Sequence, residues 1–194
     1  MEEIKRLMKI TKKTVLNILL FAFIISFFVT PLGDYSKVLL NKIFSFSPSV
    51  TEEINRNKIT DYDWKLKDEN WNFFNFKQSK GKVVFINFWA SWVLPCEAEL
   101  VSIQKFYDQY KDKIDFYIIT DEEREPVEEF MKKHELTFPV TYLFIGEKMP
   151  FEDIKTPSSY LLDKDGNIVI RKEGIADWDN SKIYNLVDRL LDKK

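Results

Sequence analysis

The feature that most constrains the fold is the apolar run from Lys82 to Ala90, KVVFINFWA. The run is too short to cross a bilayer as a helix, and β-branched and aromatic side chains dominate it. Such a run is typical of a strand that is buried on both faces. The chain is therefore predicted to build a layered α/β domain with this segment as its central strand.

Strand and helix patterns alternate after this run. From Pro95 to about Lys111, apolar residues recur at spacings of three and four, which predicts an amphipathic helix. A second helix is predicted to begin near Pro126, because proline suits the first helical turn. Further strands are predicted over residues 64–67, 71–76, 115–120, 138–144, 158–163 and 168–171, and a closing helix over 181–191. The first two strands are expected to form an edge hairpin.

Composition excludes several classes of protein. The 17 Phe against 5 Gly and 7 Pro are incompatible with collagen-like or intrinsically disordered chains. A net charge of -2 provides no basic field for nucleic acid. The single Cys cannot form an intramolecular disulfide, and one Cys with one His cannot make the usual zinc site. Neither a metal nor a cofactor is expected.

The N-terminal region predicts a membrane anchor. Residues 1–13 carry five basic side chains, and residues 14–33 form an uncharged run of mainly Leu, Ile, Phe and Val. As a helix this run would extend roughly 30 Å, the thickness of a bilayer's hydrocarbon core. The alternative is a cleaved signal peptide, but no small residues mark a cleavage site after the run. Both alternatives export the rest of the chain.

The basic flank also predicts orientation. Its excess of Lys and Arg places the N-terminus in the cytoplasm by the positive-inside tendency. The predicted organisation is a cytoplasmic stub (1–13), a transmembrane helix (14–33), a tether (34–60) and a periplasmic domain (61–194) on a bacterial inner membrane. That domain is mildly acidic, with 26 acidic against 20 basic residues.

The segment from Asn87 to Leu100, NFWASWVLPCEAEL, carries a resemblance to a known family. It resembles the active-site pattern N-F-W-A-T/S-W-C-x-P-C-x-x-E of the membrane-anchored, TlpA-like branch of the thioredoxin superfamily, with Val93 in place of the first cysteine. Further landmarks are Gly81–Val84, Phe138–Val140 and the cis-proline segment Thr156–Gly166. The resemblance covers about residues 61–194. It implies a thioredoxin-like fold, a central mixed sheet flanked by helices, and thiol-disulfide exchange in exported proteins.

The replacement at Val93 puts the ordinary reaction in doubt. In a C-x-x-C dithiol the first cysteine attacks the substrate disulfide and the second resolves the mixed disulfide. Val93 supplies no nucleophile, so this cycle cannot run. Three interpretations of Cys96 stay open: an inert buried residue in a partner-binding domain, a one-cysteine oxidoreductase forming mixed disulfides, and a peroxidase-like thiol. The peroxidase pattern has Thr and Pro where this chain has Val93 and Trp89.

The resemblance also assigns residues around Cys96. Glu99 matches an acidic residue that assists proton transfer, and the alternative is an exposed helix residue. A cis Thr156–Pro157 bond would place Thr156 beside residue 93. Trp92, Val93, Thr156 and Pro157 would then form a groove that binds an extended segment of an extracytoplasmic protein or peptide, including a thiol-bearing one.

Three further residues have simpler predictions. Trp89 is expected in the core and Trp92 at the surface. His134, near the end of the second helix, is expected to be solvated.

Overall fold

The computed structural model describes residues 12–29, 47–51, 57–144, 146–152 and 154–193. The chain divides into two compact units, residues 1–40 and 41–194. The first contains helix α1 (Lys12–Val29). Among the described residues, no helix combines the length and the apolar character needed to cross a membrane. Residues 1–11, residues 30–33 of the predicted anchor and most of the predicted tether lie outside the described ranges.

The second unit is built on one seven-stranded sheet. The strand order is β2-β1-β5-β4-β3-β6-β7, with β3, β4 and β5 parallel and the other pairings antiparallel. The strands are β1 (Lys65–Lys67), β2 (Phe73–Asn75), β3 (Val84–Phe88), β4 (Asp115–Thr120), β5 (Val140–Leu143), β6 (Ser158–Leu162) and β7 (Ile168–Glu173). The helices are α2 (Leu94–Tyr110), α3 (Arg124–Lys133) and α4 (Ser181–Asp192), with a 3-10 helix at Phe76–Ser79. The predicted order of elements and the mixed sheet are confirmed.

Strand β3 is buried along its whole length, as its composition predicts. It pairs in parallel with β4 and antiparallel with β6, so it is an interior strand. The middle position of the sheet belongs to β4, one strand away from the prediction. Because successive side chains of a strand point to opposite faces, Phe85 joins one apolar core and Ile86 the other.

The N-terminal part of this unit covers one edge of the sheet. Ile168 donates its N–H to the Asn57 carbonyl (2.8 Å), and Thr51 donates to the Val169 carbonyl (2.8 Å). Ile59 is buried in the core. Residues that the sequence assigned to the tether therefore contact β7, and the folded unit extends N-terminal to residue 61. This covering satisfies backbone groups that an open edge strand would expose.

We predict that Gly166 is needed where this segment meets the β6–β7 turn. Gly166 has a φ of +84°, and an added Cβ would overlap the Tyr62 hydroxyl and lie 3.0 Å from the Ile59 carbonyl oxygen. Gly174 has a similar φ of +75° with nothing within 4 Å. Gly174→Ala should therefore lower the free energy of unfolding by only about 1 kcal/mol, because alanine is strained at a positive φ. Gly166→Ala should lower it by about 2 kcal/mol more, because its Cβ also overlaps the Tyr62 hydroxyl. Urea unfolding of both variants measures this difference, and equal losses would contradict it.

Candidate functional site

The site is built at the start of helix α2. Val93 is the N-cap residue, with extended backbone (φ -93°, ψ 101°) and no side-chain hydrogen bond to the helix. The Cys96 N–H donates to the Val93 carbonyl (2.9 Å). Position 93 thus lies where the free N–H groups and the dipole of a helix favour negative charge. An apolar, half-buried side chain occupies that position in this chain.

Cys96 lies one turn into the helix and is completely buried. Burial is the main cause of a pKa raised to about 12 for its thiol; a backbone hydrogen bond at Ala90 opposes the shift, and the nearby Glu99 and Glu122 add to it. At pH 7 almost none of this thiol is then ionised. In this structure Cys96 is therefore a buried thiol of low acidity.

Glu99 is also buried, with 1% of its surface exposed. The interpretation of Glu99 as an exposed helix residue is therefore wrong, because this turn of α2 packs on the sheet. Its carboxylate accepts four hydrogen bonds from other elements: from Asn87 Nδ2 (3.2 Å), Ser159 Oγ (3.3 Å), the Ala176 N–H (3.3 Å) and Trp178 Nε1 (3.0 Å). Burial nevertheless raises the Glu99 pKa to about 7, against the effect of these donors.

Asn87 is a site residue that the sequence analysis did not single out. Its Nδ2 also donates to Ser159 Oγ (2.9 Å), while its buried Oδ1 has no hydrogen-bond partner within the described part of the chain. The sequence feature that could have indicated Asn87 is that it is the one amide side chain in an otherwise apolar strand. No comparable signal marked Ser159 and Trp178, because they reach Glu99 from distant parts of the sequence.

Three of the four predicted groove residues are at least partly exposed, whereas Pro157 is buried. Trp92 is 77% exposed, as expected, and Val93 packs partly against the core. The Thr156–Pro157 bond is cis, as predicted. Thr156 is exposed and lines a recess of about 190 Å³, together with Trp89. Trp92 and Val93 do not line this recess, so the proximity of Thr156 to residue 93 stays a prediction.

The two remaining aromatic predictions have different outcomes. Trp89 is buried, as expected, with its ring 5.3 Å from that of Phe130. The prediction of a solvated His134 is wrong, since only 16% of its side chain is exposed. The His134 ring packs at a tilt against that of Phe130, with the ring centres 4.3 Å apart, and its Nδ1 lies 3.4 Å from a Glu97 carboxylate oxygen. The end of α3 packs against the first turn of α2, which covers most of the imidazole.

A second carboxylate fixes the loop before α2. Glu122 accepts hydrogen bonds from the Ser91 N–H (2.6 Å), the Ser91 hydroxyl (2.6 Å) and the Thr120 hydroxyl (3.2 Å). The loop that carries Trp92 is thereby attached to the end of β4. The described residues contain no cluster of His, Cys, Asp and Glu suited to a metal ion.

These features define a class of protein. A mixed sheet, a helix that begins beside a buried thiol and a cis proline before a sheet strand are together a thioredoxin-like arrangement. Residues 48–187 match the family model described as Redoxin, and the chain belongs to this family.

Individual relatives agree with this assignment. The chain is 37% identical over 101 residues to the thiol-disulfide oxidoreductase ResA of Bacillus thuringiensis, over 50% of this chain and 58% of that protein. It is 34% identical over 102 residues to the sporulation thiol-disulfide oxidoreductase A of Bacillus subtilis, over 50% of this chain and 62% of that protein. The chain thus spans little more than half the length of these curated relatives.

Solved structures show the same fold. The crystal structure of StoA from Bacillus subtilis matches 64% of this chain and 93% of its own, at 28% identity and a TM-score of 0.51. A secreted thiol-disulfide isomerase from Corynebacterium glutamicum matches 77% of this chain and 98% of its own, at 17% identity and a TM-score of 0.57. The second likeness is one of fold alone.

We predict that Glu99 makes stability fall as pH rises. Its pKa in the folded chain, about 7, lies above the ordinary value of 4.5, so the folded state binds the proton more tightly than the unfolded state. The stabilisation is complete below about pH 4.5 and is lost as pH rises through 7. The loss should reach about 3 kcal/mol at most between pH 5 and pH 8.

Urea unfolding at pH 5, 6, 7 and 8 measures this effect. Glu99→Gln should flatten the profile over this range, because the amide cannot ionise. Glu129→Gln, on the exposed surface of α3, is the matched control and should keep the wild-type slope. If the stabilities of wild type and Glu99→Gln fell in parallel as pH rises, Glu99 would not be the source of the pH dependence.

Proposed function

We propose that this Redoxin-family domain is redox-inactive and acts by binding an extended segment of an extracytoplasmic protein or peptide. The observation that supports this proposal best is the state of Cys96, which has no exposed surface and a pKa raised to about 12. A thiol that solvent cannot reach, and of which almost none is ionised to thiolate, is a poor nucleophile. The chain has no other cysteine to compensate.

The surface near the helix start suits a binding role. Trp92 is the most exposed large apolar residue among the described ones, at 77%. Exposed tryptophans are frequent anchors in protein interfaces, since one ring buries a large area at a low entropic cost. The proposed binding surface consists of Trp92, Val93, Thr156 and Pro157, of which Pro157 is buried in the structure. Thr156 and Pro157 lead into β6, where an extended partner segment would lie against the sheet end.

The proposed location is the outer face of a bacterial inner membrane, with the N-terminus in the cytoplasm. Support comes from the sequence: the uncharged run 14–33 follows five basic residues in 1–13. A helix covers Lys12–Val29 of this region. Sodium carbonate extraction of cell membranes and protease protection of an N-terminal tag test the anchor and its orientation.

The alternative function is a one-cysteine oxidoreductase that uses Cys96. The names of the relatives favour it, since they are thiol-disulfide oxidoreductases. In this alternative Cys96 would attack a partner disulfide and form a mixed disulfide, releasing one partner thiolate. Such an attack requires access to a sulfur atom that is buried in the structure.

We predict that Cys96 is alkylated at least 100-fold more slowly in the folded chain than in denaturant at pH 8. Burial blocks the reagent, and the raised pKa removes the thiolate. The control is Val101→Cys in a Cys96→Ser background, because residue 101 is 39% exposed on the same helix. Its thiol should react at similar rates folded and unfolded. Fast native labelling of Cys96 would overturn the redox-inactive proposal and favour the one-cysteine enzyme.

We predict that binding depends on Trp92 and not on Cys96. The probe is a degenerate pool of fluorescein-labelled nine-residue peptides, titrated with the full chain in detergent and followed by anisotropy. Trp92→Ala should weaken binding at least tenfold, whereas Cys96→Ser should leave the Kd unchanged. Trp71→Ala is the matched control, since Trp71 is 38% exposed on the β1–β2 hairpin. Absence of binding, or equal effects of both tryptophan substitutions, would overturn the proposed function.

A further inference from the structure

A recess opens next to the cis-proline segment at the C-terminal ends of β3 and β4. Its volume is about 190 Å³. Cavities of about 150 Å³ accommodate a benzene molecule, so the recess has room for one large side chain. Apolar residues outnumber polar ones in its lining, and the residues that matter here are Phe88, Leu143, Met149, Ile154, Thr156 and Asp121.

One carboxylate gives this recess its charge. Asp121 directly follows β4, is exposed and lines the recess. It has no ion-pair partner among the described residues. Glu123, at the end of this loop, and Glu125, in the first turn of α3, are both exposed. Arg124, the first residue of α3, is paired with Glu128 (2.5 Å). Lys155, next to the recess in sequence, is paired with Glu173 (2.9 Å). Asp121 is the one charged residue among the described residues that line the recess, so the recess itself presents a negative charge.

We infer that this recess binds one lysine or arginine side chain of an extended partner segment. The inference rests on the proposed function and specifies the chemistry of the partner. Thr156 belongs both to the proposed binding surface and to the recess wall. A segment that lies along this surface points alternate side chains in the same direction, so one of them can enter the recess.

A long basic side chain fits both the walls and the charge. Its aliphatic stem can pack on Phe88, Met149 and Ile154, while its cationic end lies near Asp121. An apolar side chain would match the walls but would desolvate Asp121 without compensation. A carboxylate side chain of the partner would be repelled by the negative charge of Asp121. Charge complementarity therefore selects the basic side chain.

The loop that bears Asp121 is held in place. The neighbouring Glu122 accepts two hydrogen bonds from Ser91, both 2.6 Å long. Thr120, on the other side of Asp121, is buried and donates to Glu122. These contacts fix the backbone around Asp121 in the absence of a partner. Less ordering is then needed when a partner binds.

The experiment compares four pools of fluorescein-labelled nine-residue peptides. One central position is fixed as Lys, Arg, Met or Glu, and the other positions are degenerate. The full chain in detergent is titrated into each pool at 50 mM and 500 mM salt. The Lys and Arg pools should bind at least fivefold more tightly than the Met and Glu pools at low salt, and this preference should shrink at high salt.

Variants connect the preference to Asp121. Asp121→Asn should remove the preference for Lys and Arg, and Asp121→Lys should transfer it to the Glu pool. Asp192→Asn is the control for loss of one charge, since residue 192 ends α4. This substitution should leave the preference for the Lys and Arg pools unchanged. Tighter binding of the Met pool, or a preference unaffected by Asp121→Asn, would overturn the inference.

The same titrations separate this inference from the proposed function. If Trp92→Ala weakens all pools equally and no pool is preferred, the binding surface stands and the basic-side-chain site is overturned. If no pool binds, or Trp92→Ala has no effect, the proposed function fails and the inference fails with it.

Discussion

The interaction on which this site depends is the burial of the Glu99 carboxylate among four hydrogen-bond donors. The donors come from β3, from β6 and from the chain between β7 and α4, so one side chain of α2 is attached to three other parts of the domain. Ser102, one turn later, accepts a hydrogen bond from the Trp178 N–H (3.1 Å) and strengthens the attachment. A buried charge without such partners would be strongly destabilising. The position of α2 is therefore set by polar contacts as well as by its apolar face.

Burial has the same effect on both ionisable groups of this helix turn. It raises the pKa of Cys96 to about 12 and that of Glu99 to about 7, so each group tends toward its neutral form. The helix end, where negative charge would be stabilised, is occupied by Val93. The electrostatic features that activate a thiol are thus present in the fold, while the single thiol lies where burial outweighs them.

The fold was largely predictable from local patterns, whereas the site was predictable only in part. The β3 run, the spacing in α2 and the landmark segments each depend on neighbouring residues, and the structure confirms them. The surroundings of Glu99 depend on residues 12 to 79 positions away. His134 shows the same limit: its sequence context is that of an exposed helix end, and the packing of α3 on α2 covers most of its side chain. The burial of Ile59 could likewise not be predicted, because Ile59 lies in a stretch without hydrophobic periodicity.

The segment that covers β7 has a mechanical consequence. Asn57 and Thr51 contact the edge strand through backbone hydrogen bonds, and Lys58 forms a bridge with Asn167. A pulling force applied to the chain before residue 51 therefore reaches the domain first at this edge. Such a load would have to break these backbone hydrogen bonds before it reached β3 or α2. The first element to yield would then be the covering segment.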